Sequence, residues 1–156
     1  MTFDLIREIA TTNNLSILGA TVAGANSPVS VDVERTADRT FVVEAAFDVN
    51  VPASMAWEVL TVGRTWIGSV PIHVVLDVRG HDRRVLEFRD VSRTDCSDYA
   101  GAWEIRNAGA FTRVNFRLRA EKLGRPPAAL VARAIRRNVT RLLDEVRDEI
   151  LVRAAR

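Results

Sequence analysis

The sequence has few of the residues that bind metals or form cross-links. It contains one cysteine and two histidines among 156 residues. Cys96 alone cannot form an internal disulfide, and with only His73 and His81 beside it there is no spaced set of zinc ligands. No Ser-His-Asp arrangement, Cys-His arrangement or phosphate-binding loop can be assembled either. The sequence therefore excludes disulfide scaffolds and zinc modules, and we expect no metal and no cofactor.

Long apolar runs and an excess of one charge are also missing. A weakly apolar run, residues 15–25, is too short to span a bilayer. The chain has 22 basic and 20 acidic residues. The resulting net charge of +2 is too small for a general nucleic-acid binder. Hydrophobic residues make up 47% of the chain and charged residues 27%, as in a folded domain. We expect one globular domain with no transmembrane segment and no nucleic-acid partner.

Residues 1–28 differ in pattern from the rest of the chain, and we predict that they are an N-terminal extension of a domain spanning residues 29–156. The apolar run within them resembles the core of a signal peptide. The residues before that run include two acids and one arginine, so the positive start of a signal peptide is missing. We therefore expect a retained extension and a cytoplasmic protein; a cleaved signal and an exported protein are the alternative.

From residue 29 onward, apolar and polar residues alternate with a period of two, which predicts β-strands. Two strands form a hairpin that ends before Pro52, and Ser54 is a good N-cap for a short helix. Four more antiparallel strands are predicted, at residues 72–79, 84–91, 97–106 and 112–120.

After residue 126 the period changes to 3.6, which predicts one long amphipathic helix over residues 127–153. A sheet with one apolar face packs economically on such a helix when the sheet curves and the helix crosses its concave side. We therefore predict an α+β fold. About six antiparallel strands wrap around a long C-terminal helix, and a short helix follows the first hairpin.

Three segments carry a family resemblance. Residues 51–61 read VPASMAWEVLT, residues 88–104 read FRDVSRTDCSDYAGAWE, and residues 123–150 form most of the final helix. In this order they resemble the START-like superfamily, which includes polyketide cyclase/dehydrase, coenzyme Q-binding and lipid-transfer proteins. The resemblance implies the helix-grip fold and a cavity between sheet and C-terminal helix.

The sequence departs from the family after Leu60, where a segment that usually carries two strands is absent, and Cys96 stands where the family tends to carry an aromatic residue. Loss of two strands would remove one wall of the cavity and expose a sheet edge, which invites pairing with another chain. Either the extension or a second copy, in a homodimer, is expected to cover this edge. A tethered segment acts at high effective concentration, which favours the extension.

The alternation places mainly apolar side chains on the inner face of the sheet, which suits a hydrophobic ligand. For each residue taken alone, ordinary core packing is the favoured alternative. Asn138 on the inner stripe of the long helix either faces a polar group of the ligand or binds protein or water. The candidate ligand-binding residues are Phe47, Leu76, Phe88, Tyr99, Trp103, Phe116, Ile135, Asn138 and Leu142.

No catalytic residue is assigned, and the only candidates are Asp90 and Tyr99, a pair that could move a proton in a cyclase or dehydratase. A surface-pointing Asp90 is the favoured alternative because carboxylates are seldom buried. The leading hypothesis is therefore a non-enzymatic carrier of a lipid, quinone or polyketide-like molecule. A cyclase/dehydratase and a shortened paralogue with a protein-interaction role are the alternatives.

Arginines recur every four residues on the long helix, at Arg133, Arg137 and Arg141 beside Arg136. They could bind an anionic headgroup or phosphate. A solvated helix face is the favoured reading, with ordinary pairs of residues four apart from 141 to 145 and from 149 to 153.

Overall fold

The computed structural model describes residues 27–37, 39–62, 76–124 and 127–156. Residues 1–26 of the predicted extension, with their apolar run, and the start of the predicted strand at residues 72–79 with His73, lie outside the described residues. The described residues form six strands and two helices: β1 Ser30–Ala37, β2 Thr40–Val49, α1 Ala53–Val62, β3 Leu76–His81, β4 Val85–Asp90, β5 Cys96–Asn107, β6 Thr112–Lys122 and α2 Ala128–Ala154.

The six strands form one antiparallel sheet in the order β1-β2-β6-β5-β4-β3. The predicted α+β architecture is confirmed, including the short helix after the first hairpin and the long C-terminal helix. In the described part of the chain, neither helix is long and apolar enough to span a membrane.

The register of the strands places every second residue on a concave apolar face. One row across the sheet runs through Val43, Leu118, Gly101 and Phe88. The next row runs through Ala45, Phe116, Trp103 and Leu86. Both rows belong to a single hydrophobic core apart from Gly101, so the period of two in the sequence gives one buried face.

Helix α2 covers the side of this face formed by β1 and β2, and it also packs against α1. Its C-terminal half is the better buried part. The residues that are at most 5% exposed there are Leu142, Leu143, Val146 and Ile150, and Val139, just before the midpoint of the helix, is 1% exposed. In its N-terminal half Ile135 and Asn138 are half-buried, and Leu130 is 58% exposed.

Helix α1 begins one residue earlier than its predicted cap. The carbonyl of Pro52 accepts hydrogen bonds from the backbone N–H groups of Met55 and Ala56, at 3.0 and 3.4 Å. Ser54 lies inside the first turn and is exposed, so its prediction as the N-cap was wrong.

Strand β3 is less buried than its sequence pattern predicts. Leu76, which was placed on the inner face, is half-buried, and Val78, the next residue in the same alternation, is 39% exposed. The turn after β3 also lies later than predicted, at residues 81–84, where the N–H of Arg84 donates to the carbonyl of His81 at 3.0 Å. Within the described residues β3 pairs only with β4, which leaves it at the margin of the sheet.

A buried ion pair joins β2 to β6. The Arg113 guanidinium donates to both carboxylate oxygens of Asp48, at 2.7 and 3.0 Å, and both side chains are almost fully buried. Beside this pair the Thr112 hydroxyl donates to the carbonyl of Val51 at 2.5 Å. Thr112 and Arg113 are adjacent in β6. Together they hold the end of β2, through Asp48, and the start of the connection to α1, through Val51.

Candidate ligand-binding site

Most of the predicted ligand-binding residues come together on the concave face of the sheet. Six of them are buried in one core, on β2, β4, β5, β6 and α2. They are Phe47, Phe88, Tyr99, Trp103, Phe116 and Leu142. The remaining three, Leu76, Ile135 and Asn138, are half-buried at its margins. Leu76 and Ile135 pack against the core.

Four aromatic rings form a continuous strip across β4, β5 and β6. The Phe116 ring lies 4.7 Å from the Trp103 ring, between centroids, and 5.9 Å from the Phe88 ring, to which it is nearly parallel. The Phe88 ring in turn lies 6.1 Å from the Tyr99 ring. Such tilted and offset contacts are favourable for aromatic pairs. This aromatic strip belongs to the hydrophobic core of the concave face.

Gly101 makes room for the aromatic strip. A Cβ atom at this position would lie 2.6 Å from the tip of the Phe88 ring and would also collide with the backbone carbonyl of Arg117. A side chain is therefore impossible here without moving β6. Sequence reasoning placed Gly101 on the inner face but assigned it no role. A glycine among large inward residues was the available signal, because it marks close approach of a neighbour.

Trp57 on α1 is a second residue that sequence reasoning left out of the site. Its indole ring lies over Gly80 of β3, where an added Cβ would be 3.2 Å from the ring. Trp57 thus extends from α1 to the β3 margin of the sheet and packs against the core.

Side chains fill the concave face in this structure. Phe47 and Trp103 are each 1% exposed, and Phe88 and Phe116 are scarcely more. A side chain lining an open cavity would retain accessible surface, so these rings contact other protein atoms on all sides. A ligand in this place would have to displace some of that packing.

The favoured prediction for Asp90 was wrong, because this residue is 5% exposed rather than surface-pointing. Its Oδ1 accepts hydrogen bonds from the N–H and the hydroxyl of Ser92, at 2.9 and 2.7 Å. Its Oδ2 accepts one from the N–H of Arg93 at 3.0 Å. The loop that follows β4 therefore supplies the donors that make burial of this carboxylate tolerable.

Tyr99 lies near Asp90 and Cys96, and all three residues are buried. Burial raises the pKa of the Tyr99 hydroxyl well above its usual range, and the negative charges of Cys96 and Asp90, when ionised, raise this pKa further. The hydroxyl therefore stays protonated at neutral pH. It can donate a hydrogen bond to a polar group of a ligand, but it cannot act as a base there.

A shallow cleft of about 290 Å³ lies on the convex side of the β3–β4 hairpin. Its polar side chains contact one another: Arg79 pairs with Asp77 at 3.2 Å, and the imidazole of His81 lies 3.1 Å from the Glu87 carboxylate. Among the described residues, no three His, Cys, Asp or Glu side chains cluster as metal ligands. The concave face therefore remains the candidate site.

Solved structures provide the comparison with known proteins. The di-domain ARO/CYC StfQ from the steffimycin biosynthetic pathway is similar with a TM-score of 0.56 and 14% identity, over 76% of this chain and 54% of that chain. Ara h 8.0201 is similar with a TM-score of 0.52 and 8% identity, over 72% of this chain and 99% of that chain. Human STARD10 is similar with a TM-score of 0.51 and 14% identity, over 80% of this chain and 70% of that chain.

No protein-family model matches the sequence, and no curated protein sequence matches it either. The likeness to the solved structures is therefore one of fold, at identities of 14% or below. The six-stranded curved sheet, the short helix after the first hairpin and the long helix across the concave face agree with it. This chain has the helix-grip fold of the START-like proteins.

Proposed function

We propose that this protein binds and carries a small hydrophobic molecule between the concave face of the sheet and α2. The observation that carries the proposal is the aromatic strip of Phe88, Tyr99, Trp103 and Phe116. Apolar, aromatic-lined interiors with a few polar groups are typical of small-molecule sites. The candidate ligand classes are a lipid, a quinone and a polyketide-like molecule.

The N-terminal half of α2 is the proposed way in. Ile135 and Asn138 are half-buried there, whereas the C-terminal half is held by four residues that are at most 5% exposed. Separating the first half from the sheet costs less, because less apolar area is removed from water there. The ligand then replaces protein–protein contacts by protein–ligand contacts, and its own transfer from water provides the binding energy.

A carrier is better supported than an enzyme. Acid–base catalysis in this interior needs a group that can take a proton from the substrate. Both oxygens of Asp90 accept hydrogen bonds from its own loop, and Tyr99 stays protonated. A cyclase/dehydratase-type activity would therefore have to use a group other than this pair, although StfQ, with the same fold, is an ARO/CYC. Carriage requires only an apolar interior and a way in.

A second candidate is favoured by the packing of the interior. Because Phe47 and Trp103 are each 1% exposed, the chain could be a shortened paralogue that keeps the fold without a ligand and acts through protein contacts. The two candidates differ in one respect that can be measured: only the carrier takes up an apolar molecule saturably.

Titration with N-phenyl-1-naphthylamine, a neutral fluorescent probe, tests the proposal. We expect saturable binding with one probe per chain, and Ile135→Ser should weaken it by about tenfold, which corresponds to about 1.4 kcal/mol. Val152→Ser is the matched control, because Val152 lies on the same helix but is 48% exposed. Its affinity should equal that of the wild type.

Circular dichroism of each variant establishes that it is folded. Absence of saturable binding in the wild type would contradict the carrier proposal and favour the protein-interaction candidate. Equal loss of affinity in both variants would show that the probe does not enter beside Ile135.

A further inference from the structure

The outward face of α2 carries an ordered pattern of charge that the carrier role does not use. Seven exposed residues recur every three or four positions along it, and we call them the outer stripe. They are Leu130, Arg133, Arg137, Arg141, Glu145, Asp148 and Val152. The outer stripe lies opposite the buried face of the helix, so it does not touch the proposed ligand site.

The outer stripe has a positive half and a negative half. Residues 128–143 contain four arginines and no acid, whereas residues 144–149 contain four acids and one arginine. Within the described residues, no ion pair joins Arg133, Arg137 or Arg141 to an acid. The predicted pair from Arg141 to Glu145 is not formed, although the one from Glu149 to Arg153 is, at 2.7 Å.

The stability of the helix itself does not explain this order. An acid that precedes a base by four residues is the favourable arrangement within a helix, and Arg141 to Glu145 is the reverse. The helix dipole also favours acids toward the start and bases toward the end. In α2 the first turn has no acid.

A flat anionic surface does not fit the outer stripe either. A helix lying on such a surface would bring Glu145 and Asp148 to it together with the arginines. Asp148 is 68% exposed on its side chain, and its nearest cation, on Arg147, is 3.7 Å away. The partner that fits must be negative opposite the first half and positive opposite the second half.

We propose that two copies of this chain associate through their outer stripes, with the two α2 helices antiparallel about a two-fold axis near Arg141. A two-fold interface presents the same patch from both subunits, so each contact occurs twice. Arg137 and Glu145 each lie four residues from Arg141 and therefore face each other across the axis.

The ends of the stripe match in the same register. Leu130 and Val152 each lie eleven residues from Arg141, so the exposed Leu130 of one copy meets the exposed Val152 of the other. Arg133 falls opposite Asp148, within one residue of exact register. The two Arg141 side chains approach each other, and each has Glu145 of the other copy one helical turn away.

The outer edge of β1, which among the described residues pairs only with β2, is a less suitable interface than α2. Arg136 extends from α2 to β1 and donates a hydrogen bond from Nη1 to the carbonyl of Val31 at 2.8 Å. The Arg136 side chain therefore lies across β1 at Val31, where a strand from another molecule would have to displace it.

Sedimentation of the full chain over a range of concentrations tests the proposal. We expect a weak dimer that dissociates as NaCl is raised from about 50 mM to about 500 mM, because exposed charges are screened by salt. Arg137→Glu and Glu145→Arg should each raise the dimer dissociation constant by about tenfold or more. The double variant, Arg137→Glu with Glu145→Arg, should restore the affinity because it exchanges the two charges.

Arg84→Glu serves as the control, because it reverses an exposed arginine in the turn after β3 and should leave the dimer unchanged. A wild type that stays monomeric at low salt would overturn the proposal. A double variant as weak as the single ones would overturn it as well. Loss of binding to phosphatidylserine vesicles in Arg137→Glu, without any dimer in the wild type, would instead indicate a lipid surface as the partner.

Discussion

Strands β2 and β3 have the same alternation of apolar and polar residues but very different surroundings. β2 pairs with β1 and β6 and lies under α2, and its inward residues from Val43 to Val49 are at most 5% exposed. β3 pairs with β4 at the margin of the described sheet, and its Val78 is 39% exposed. The alternation therefore indicates which side a residue faces. Its burial depends on the elements that pack there.

Two glycines give the sharpest test of this difference. Gly101→Ala should destabilise the fold by about 4 kcal/mol or more, because the new Cβ meets the Phe88 ring and the Arg117 backbone. Gly80→Ala on β3 should cost less than about 1 kcal/mol, because the Trp57 ring that it meets is a side chain that can shift. Urea unfolding of the two variants provides the comparison, and equal costs would contradict it.

Truncation of large apolar residues should give the next largest contrast. Trp103→Ala removes a side chain that is 1% exposed, and we expect a loss of about 3 to 5 kcal/mol in the free energy of unfolding. Val78→Ala should cost less than about 1 kcal/mol, because much of this side chain is already in water. A loss below about 1 kcal/mol for Trp103→Ala would show that the core around it is not packed as described.

The two strands also carry ion pairs of very different burial. Arg113→Met leaves the Asp48 carboxylate buried without its partner, and we expect a cost of about 3 kcal/mol. Arg79→Met removes an exposed pair with Asp77 and should change stability by less than about 0.5 kcal/mol. Thermal unfolding at low and high salt measures both variants. A salt-dependent effect at Arg113 would indicate that its pair is solvated.

A small gain of stability is expected in the turn after β3. Asp82 and Arg83 have positive φ angles of 51° and 54°, a region that disfavours residues with a Cβ. Arg83→Gly should therefore stabilise the protein by about 0.5 to 1 kcal/mol. Arg84→Gly, at a position without positive φ, should not stabilise it. A loss of stability in Arg83→Gly would mean that contacts of the arginine side chain stabilise the fold by more than the positive φ of Arg83 destabilises it.

The sequence predicts much of the fold because each element has a clear period. The predicted strand at residues 112–120 corresponds to β6, Thr112–Lys122, and the predicted helix at residues 127–153 corresponds to α2, Ala128–Ala154. Alternation along one strand and a stripe along one helix depend on neighbouring residues only. Boundaries of this kind can therefore be read from the sequence to within a few positions.

Features that depend on distant residues could not be predicted in the same way. Burial of Asp90 requires the donors of a turn whose shape includes a positive φ at Arg93. The need for Gly101 arises from Phe88 and Arg117 on two other strands. The inward placement of the aromatic residues was predictable. The filling of the space between them was not, because it depends on side chains from six separate elements.

Native mass spectrometry of the protein purified from its own host tests the central proposal, carriage of a hydrophobic molecule, most directly. We expect a population of folded chains that carries one additional small molecule, which is released on unfolding and extracted into organic solvent. Val152→Ser should retain this molecule and Ile135→Ser should lose most of it. A spectrum that contains only the bare chain under gentle conditions, together with no saturable uptake of N-phenyl-1-naphthylamine, would contradict the proposal.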